Sequence, residues 1–166
     1  MSGPPALPTD VLIPVVDEEL RALIREHELR EERAVARWGT TVTLHGPRWM
    51  LELFYGEREF LLTIDIRYEK FRRKNPVPLW AVLEALGVGR CGLGPATWVD
   101  DAELRRQLAA LAEVMTHHRE LLDQEPTQEL FQEVSRILDR YARAIRKQEA
   151  AVASSTRKAK PRSSTP

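Results

Sequence analysis

The stretch "TVTLHGPRWMLELFYGEREFLLTIDIRY", residues 41–68, constrains the fold more than any other part of the chain. Apolar side chains recur at every second position through most of it, which is the period of a strand with two different faces. Gly46-Pro47 and Gly56-Glu57 interrupt the alternation as turns, so the stretch reads as three strands in an antiparallel meander. Glycine at the first position of a two-residue loop suits a type II′ hairpin. Tyr55 then faces Arg58, Leu53 faces Phe60, Leu51 faces Leu62 and Trp49 faces Ile64. Carried across Gly46-Pro47, the same parity sets Leu44 against Trp49 and Val42 against Leu51. One face is therefore apolar throughout: Val42, Leu44, Trp49, Leu51, Leu53, Phe60, Leu62, Ile64 and Ile66. Such a face specifies its own burial, because a slip by one residue would turn all of it to water.

The other face carries Thr41, Thr43, Met50, Glu52, Phe54, Leu61, Thr63, Asp65 and Arg67. A face meant only for water seldom combines Met50, Phe54 and Leu61. Either the first helix or a partner is expected to cover part of it.

The flanks read as helical. Asp17 is a candidate N-cap, with Glu18 and Glu19 in a first turn that favours acid, and Leu20, Leu23, Ile24 and His27 follow at helical spacing. Residues 28–38, "ELREERAVARW", are good helix formers, although Ala34, Ala36 and Trp38 also fit one face of a strand with Val42 and Leu44. The favoured reading is helix to about Arg37, ended by Gly39. Beyond the basic connector "EKFRRKNPVP" comes a short helix, "PLWAVLEALG", with Pro78 at its first position and Gly87 just past its end. Asp100 and Glu103 make a capping-box-like pair before a long helix with Leu104, Leu108, Leu111, Met115 and Leu122 on one face. Pro126 opens another, carrying Leu130, Val134, Ile137, Leu138, Tyr141 and Ile145. The short link between these two suggests an αα-hairpin. The expected fold is α+β: a three-stranded antiparallel meander preceded by a helix and followed by a short helix and a C-terminal αα-hairpin. Residues 15–150 form the domain, with a flexible segment at 1–14 and a disordered basic tail at 151–166.

Composition removes several classes of function. Among 166 residues, 25 basic and 25 acidic side chains cancel to a formal net charge of zero, so no whole-molecule field steers the chain to nucleic acid or anionic lipid. No apolar run approaches the about 18 residues of a membrane span. The opening "MSGPPALPTD" lacks the basic and apolar regions of a secretory signal, and the single cysteine, Cys91, excludes an internal disulfide framework. A cytoplasmic protein is expected.

Short motifs do not establish chemistry either. "GVGRCGLG" at 87–94 spells GxGxxG, but a dinucleotide loop follows a strand and opens a helix. Here a helix precedes it, Pro95 to Trp98 intervene afterwards, and no Lys-Ser/Thr pair completes a P-loop. Glu113 and His117 share one helix face without a HExxH or CxxC pattern, so no metal is expected. Cys91 lacks an assignable base, and Glu52, facing Leu61, is not paired with Asp65. No catalytic residue, cofactor or metal is assigned, and the chain is read as a non-enzyme. "YEKFRRK" interleaves Tyr68 and Phe71 with Lys70, Arg72, Arg73 and Lys74, a pattern suited to phosphate contacts and base stacking. With the basic tail, it supports nucleic-acid association as the alternative.

The succession "LRALIREHEL … WGTTVTLHGPRWMLELFYGEREFLLTIDI … LWAVLEALG", with Tyr55, Gly56, Arg58 and Glu59 in a "YGxRE"-like turn, resembles small bacterial proteins of the immunity type. The likeness is one of pattern and covers residues 17–87. It implies a protein that binds and blocks a cognate toxin, and it assigns no functional residue. The resulting expectation is a non-catalytic protein-binding module that docks a protein partner through Met50, Glu52, Phe54, Leu61, Asp65 and Arg67 on the mixed face. Phe71, Arg72 and Arg73 of the adjacent loop would extend that surface.

Overall fold

A computed structural model describes residues 9–56, 61–71, 74–95 and 99–158. Helices α1 (Thr9–Glu19) and α2 (Arg21–Glu26) lead into strands β1 (Arg30–Ala36), β2 (Gly39–His45), β3 (Trp49–Gly56) and β4 (Leu61–Tyr68). A 3-10 turn at Glu69–Phe71, strand β5 (Val77–Pro78) and helices α3 (Leu79–Ala85), α4 (Asp101–Asp123) and α5 (Gln128–Lys158) complete the order. The fold is α+β, with one antiparallel sheet of five strands in the order β1-β2-β3-β4-β5. The expected meander is its centre, and two further strands extend it.

The apolar face behaves as its alternation requires. Val42, Leu44, Trp49, Leu51, Leu53, Leu62, Ile64 and Ile66 are all buried, and each such side chain contributes about 1.5–3 kcal/mol by leaving water. Phe60 lies outside the described residues. The helices pack on this face. Leu104, Leu108, Leu111, Met115 and Leu122 of α4 are fully buried against it, together with Leu12, Val15, Val16 and Leu20 from the first helix and the link after it. Trp49 Nε1 donates to Asp123 Oδ1 at 2.7 Å, tying β3 to the end of α4. The hydroxyl of Tyr55 donates to the carbonyl of Val99 at 3.0 Å.

Several expectations are corrected. Residues 30–36 form strand β1, not helix: Glu28 takes φ 51°, turning the chain, and pairing with β2 from Arg30↔His45 to Ala36↔Gly39 outweighs local helix propensity. Ala34 lies opposite Thr41, so the alanines face away from Val42 and Leu44. Asp17 sits inside α1 instead of capping it. Its carboxylate accepts from Arg33 of β1 at 2.5 Å, and that hydrogen bond is the main cause holding its pKa below the usual range. Helix α1 occupies part of the segment expected to be flexible, and α5 runs through Lys158 into the expected tail. Consecutive helices α4 and α5 each pack mainly on another helix, α4 on α1 and α5 on α3, so the expected αα-hairpin is not the main packing of either.

The helix ends follow the sequence. Asp100 Oδ1 accepts from the backbone N–H of Glu103 at 2.8 Å, capping α4. Gly87 takes φ +82° just beyond α3, while the N–H of Val88 reaches back to the carbonyl of Leu83 at 3.2 Å. That is how a helix terminates through glycine. The glycine loop is a link between helices, as its flanks implied.

Candidate functional site

With every described helix on the apolar side, the mixed face of the sheet stands open. The first helix does not cover it. Strand pairing arranges it in cross-strand rows, two residues apart along each strand. One row is Arg30, His45, Met50 and Arg67; the next is Glu32, Thr43, Glu52 and Asp65; the third is Ala34, Thr41, Phe54 and Thr63; the last is Ala36, Gly39, Gly56 and Leu61. From one end to the other, the face is basic, then acidic, then apolar. Met50, Glu52, Phe54, Leu61, Asp65 and Arg67 are each half-buried, so all six expected docking residues in the sheet share this face.

The acidic row corrects the expected register. Leu53 pairs with Ile64 instead of Phe60, and Glu52 pairs directly with Asp65 instead of Leu61. Opposed cross-strand side chains lie roughly 5 Å apart, and like charges there are unfavourable. Burial raises the pKa of Asp65, the facing charge of Glu52 raises it further, and a hydrogen bond with Thr63 partly opposes both. Glu32, at the far end, is compensated: Arg30 lies 2.9 Å from it and His45 Nε2 lies 3.4 Å from it.

Asp65 gives a first prediction. Asp65→Asn is expected to stabilise the fold by up to about 1 kcal/mol at neutral pH. The raised folded-state pKa means that the native protein binds this proton more readily than the unfolded chain. The advantage of the variant should therefore fade as pH falls through that raised pKa, where protonated Asp65 resembles the amide. Thermal melts across pH test this. An Asn variant no more stable than the parent at neutral pH would show that the carboxylate is already compensated.

At the apolar end, Phe54 lies across two glycines. A Cβ placed on Gly39 would meet the Phe54 ring at 2.7 Å, and one on Gly56 would meet it at 3.1 Å. The ring thus takes the space that side chains would occupy, beside the small residues Ala34, Ala36 and Thr41. At the tip of the β1–β2 hairpin, beside this end of the face, Trp38 is 67% exposed. Exposed apolar surface of this kind, rimmed by charge, marks interaction sites.

The connector residues separate from this surface. Phe71 stacks on Phe131 of α5, with ring centroids 4.6 Å apart, and Lys74 Nζ sits 5.1 and 4.7 Å from the centroids of those two rings. Its ring is on the helical side and is engaged within the fold, so it neither extends the docking face nor offers a free platform for a base. Lys70 pairs with Glu125 at 2.6 Å. Arg72 and Arg73 lie outside the described residues. His117 Nε2 pairs with Glu113 at 3.0 Å on an exposed part of α4, and no group of three metal-ligating side chains gathers among the described residues.

Sequence reasoning missed Arg30, Glu32 and His45 as members of this surface. Residues 28–38 read as good helix formers, and only the pairing of β1 with β2 brings Arg30, Glu32 and His45 beside Glu52. No described helix is long and apolar enough to cross a membrane. No family model matches the chain, and searches of curated proteins and of solved structures return no match.

Proposed function

We propose that the chain is a non-catalytic protein-binding module acting in the cytoplasm, an inhibitor of the immunity type that blocks its partner sterically with the open face of its sheet. One observation supports the reading: a sheet face with none of the described helices on it combines half-buried Phe54, Met50 and Leu61 with the like-charged Glu52–Asp65 pair. Water is a poor neighbour for the first group, and a cation would relieve the like charges of the second. The partner that fits presents lysine or arginine side chains over the acidic row and apolar side chains over Phe54. Docking there would set countercharge against the acidic row, which favours specific over casual association.

The test begins with affinity capture from the native lysate and continues with the purified partner and titration calorimetry. Phe54→Asp is expected to abolish binding while preserving the circular dichroism spectrum. Glu52→Gln combined with Asp65→Asn should weaken binding at least about tenfold, and Arg136→Ala on α5 should leave it unchanged. Full affinity in Phe54→Asp would assign the docking surface elsewhere. Capture of nuclease-sensitive material, with affinity falling steeply in salt, would support the nucleic-acid reading in place of this one.

A further inference from the structure

The basic end of the open face carries a separate feature. A cavity of about 300 Å³ is lined by His45, Pro47, Arg48, Met50, Arg67 and Tyr68, with Gly46, Trp49 and Glu69 completing its walls. That volume is at the lower end of the range for small-molecule sites. We propose that this cup binds a small phosphate monoester, with the phosphate seated over Met50 between His45 and Arg67 and contacted from the turn by Arg48.

The register sets the spacing. His45, Met50 and Arg67 are consecutive partners across β2, β3 and β4. Neighbouring strands are about 4.8 Å apart, so the His45 and Arg67 backbones stand roughly 10 Å from each other. An anion above Met50 is within reach of both side chains. The third wall is held in place, because the N–H of Glu69 donates to the carbonyl of Arg48 at 2.9 Å and ties the β2–β3 turn to the end of β4.

Donor chemistry favours phosphate. Two guanidiniums, those of Arg48 and Arg67, supply planar forks that match phosphate oxygens bidentately, while the His45 ring walls the cup. On the opposite side of His45, Glu32 Oε1 lies 3.4 Å from its Nε2, and Arg30 Nη2 lies 3.4 Å from the ring nitrogens. Those contacts orient the ring. Among the described residues of the lining, the carboxylate is that of Glu69, and the basic groups outnumber it. Met50 and Pro47 give the organic part of a monoester an apolar wall. The cup shares Met50 and Arg67 with the docking face but needs no protein partner to be tested.

The test uses the full chain titrated with inorganic phosphate, with adenosine monophosphate and with an oligothymidine. Binding is followed by the amide and arginine side-chain resonances of a ¹⁵N-labelled sample. Phosphate and the monophosphate are expected to shift His45, Met50, Arg48 and Arg67 saturably, the monophosphate binding more tightly. Arg67→Gln and Arg48→Gln, each checked by circular dichroism, should each weaken binding at least about tenfold. Absence of saturable shifts up to about 10 mM phosphate would overturn the proposal. So would undiminished binding in the folded Arg48→Gln variant. Tighter binding of oligothymidine than of the monophosphate would overturn the small-ligand assignment in favour of a polynucleotide.

Discussion

Gly39→Ala is expected to destabilise the protein by about 2–4 kcal/mol, the range for forcing atoms into a packed site. The added Cβ would stand 2.5 Å from the carbonyl oxygen of Tyr55 and 2.7 and 2.9 Å from two ring carbons of Phe54. The ring could rotate away, but the carbonyl belongs to the neighbouring strand, next to the Gly39↔Gly56 and Thr40↔Tyr55 pairs. Relief therefore requires the sheet to part at that end. At roughly 2–4 °C per kcal/mol for a chain of this size, the melting temperature should fall by about 5–15 °C. Gly94→Ala is the control, because nothing lies within 4 Å of a Cβ there, and its melting temperature should match the parent. A Gly39→Ala protein that also melts with the parent would place Phe54 somewhere other than over the glycines. The result matters beyond stability, since that ring anchors the apolar end of the proposed docking face.

Trp49→Ala is expected to remove about 3–5 kcal/mol, as truncation of a buried aromatic does. The side chain is 3% exposed, and it joins the two layers of the fold. Trp49→Phe separates packing from polarity. It keeps most of the apolar contact and deletes the 2.7 Å hydrogen bond to Asp123 Oδ1, for an expected loss of about 1.5–3 kcal/mol, the worth of a hydrogen bond to a charged group. Asp123 would retain Arg119, whose Nε lies 3.3 Å from its other oxygen. Urea unfolding of the three proteins measures both contributions. A Trp49→Phe protein as stable as the parent would mean that the link between β3 and α4 is apolar contact alone.

What could be read from the sequence, and what could not, follows from the period of a strand. Membership of a face depends only on whether a position is odd or even. The buried set from Val42 to Ile66 and the open set from Thr41 to Arg67 were therefore legible without coordinates. Register is a different quantity. A slip that moves the partner of Leu53 from Phe60 to Ile64 leaves every side chain on its own face, so alternation cannot detect it. That slip is what brings Glu52 and Asp65 together. The apolar spacings of α4 and α5, the Asp100 cap and the Gly87 terminus were likewise local, set by side chains within one or two helical turns.

Tertiary structure decided the rest. Residues 30–36 have helix-forming side chains, yet become an edge strand because β2 offers a row of backbone partners that a helix there would leave exposed. The two C-terminal helices are adjacent in sequence, yet each packs mainly on a different helix, α1 for α4 and α3 for α5. Both outcomes have one physical reason. Periodicity states which side of an element must be buried, whereas hydrogen bonding and apolar contact across the whole chain select what buries it. The acidic row and the phosphate cup exist only after that selection, since they are built from residues on three or four strands.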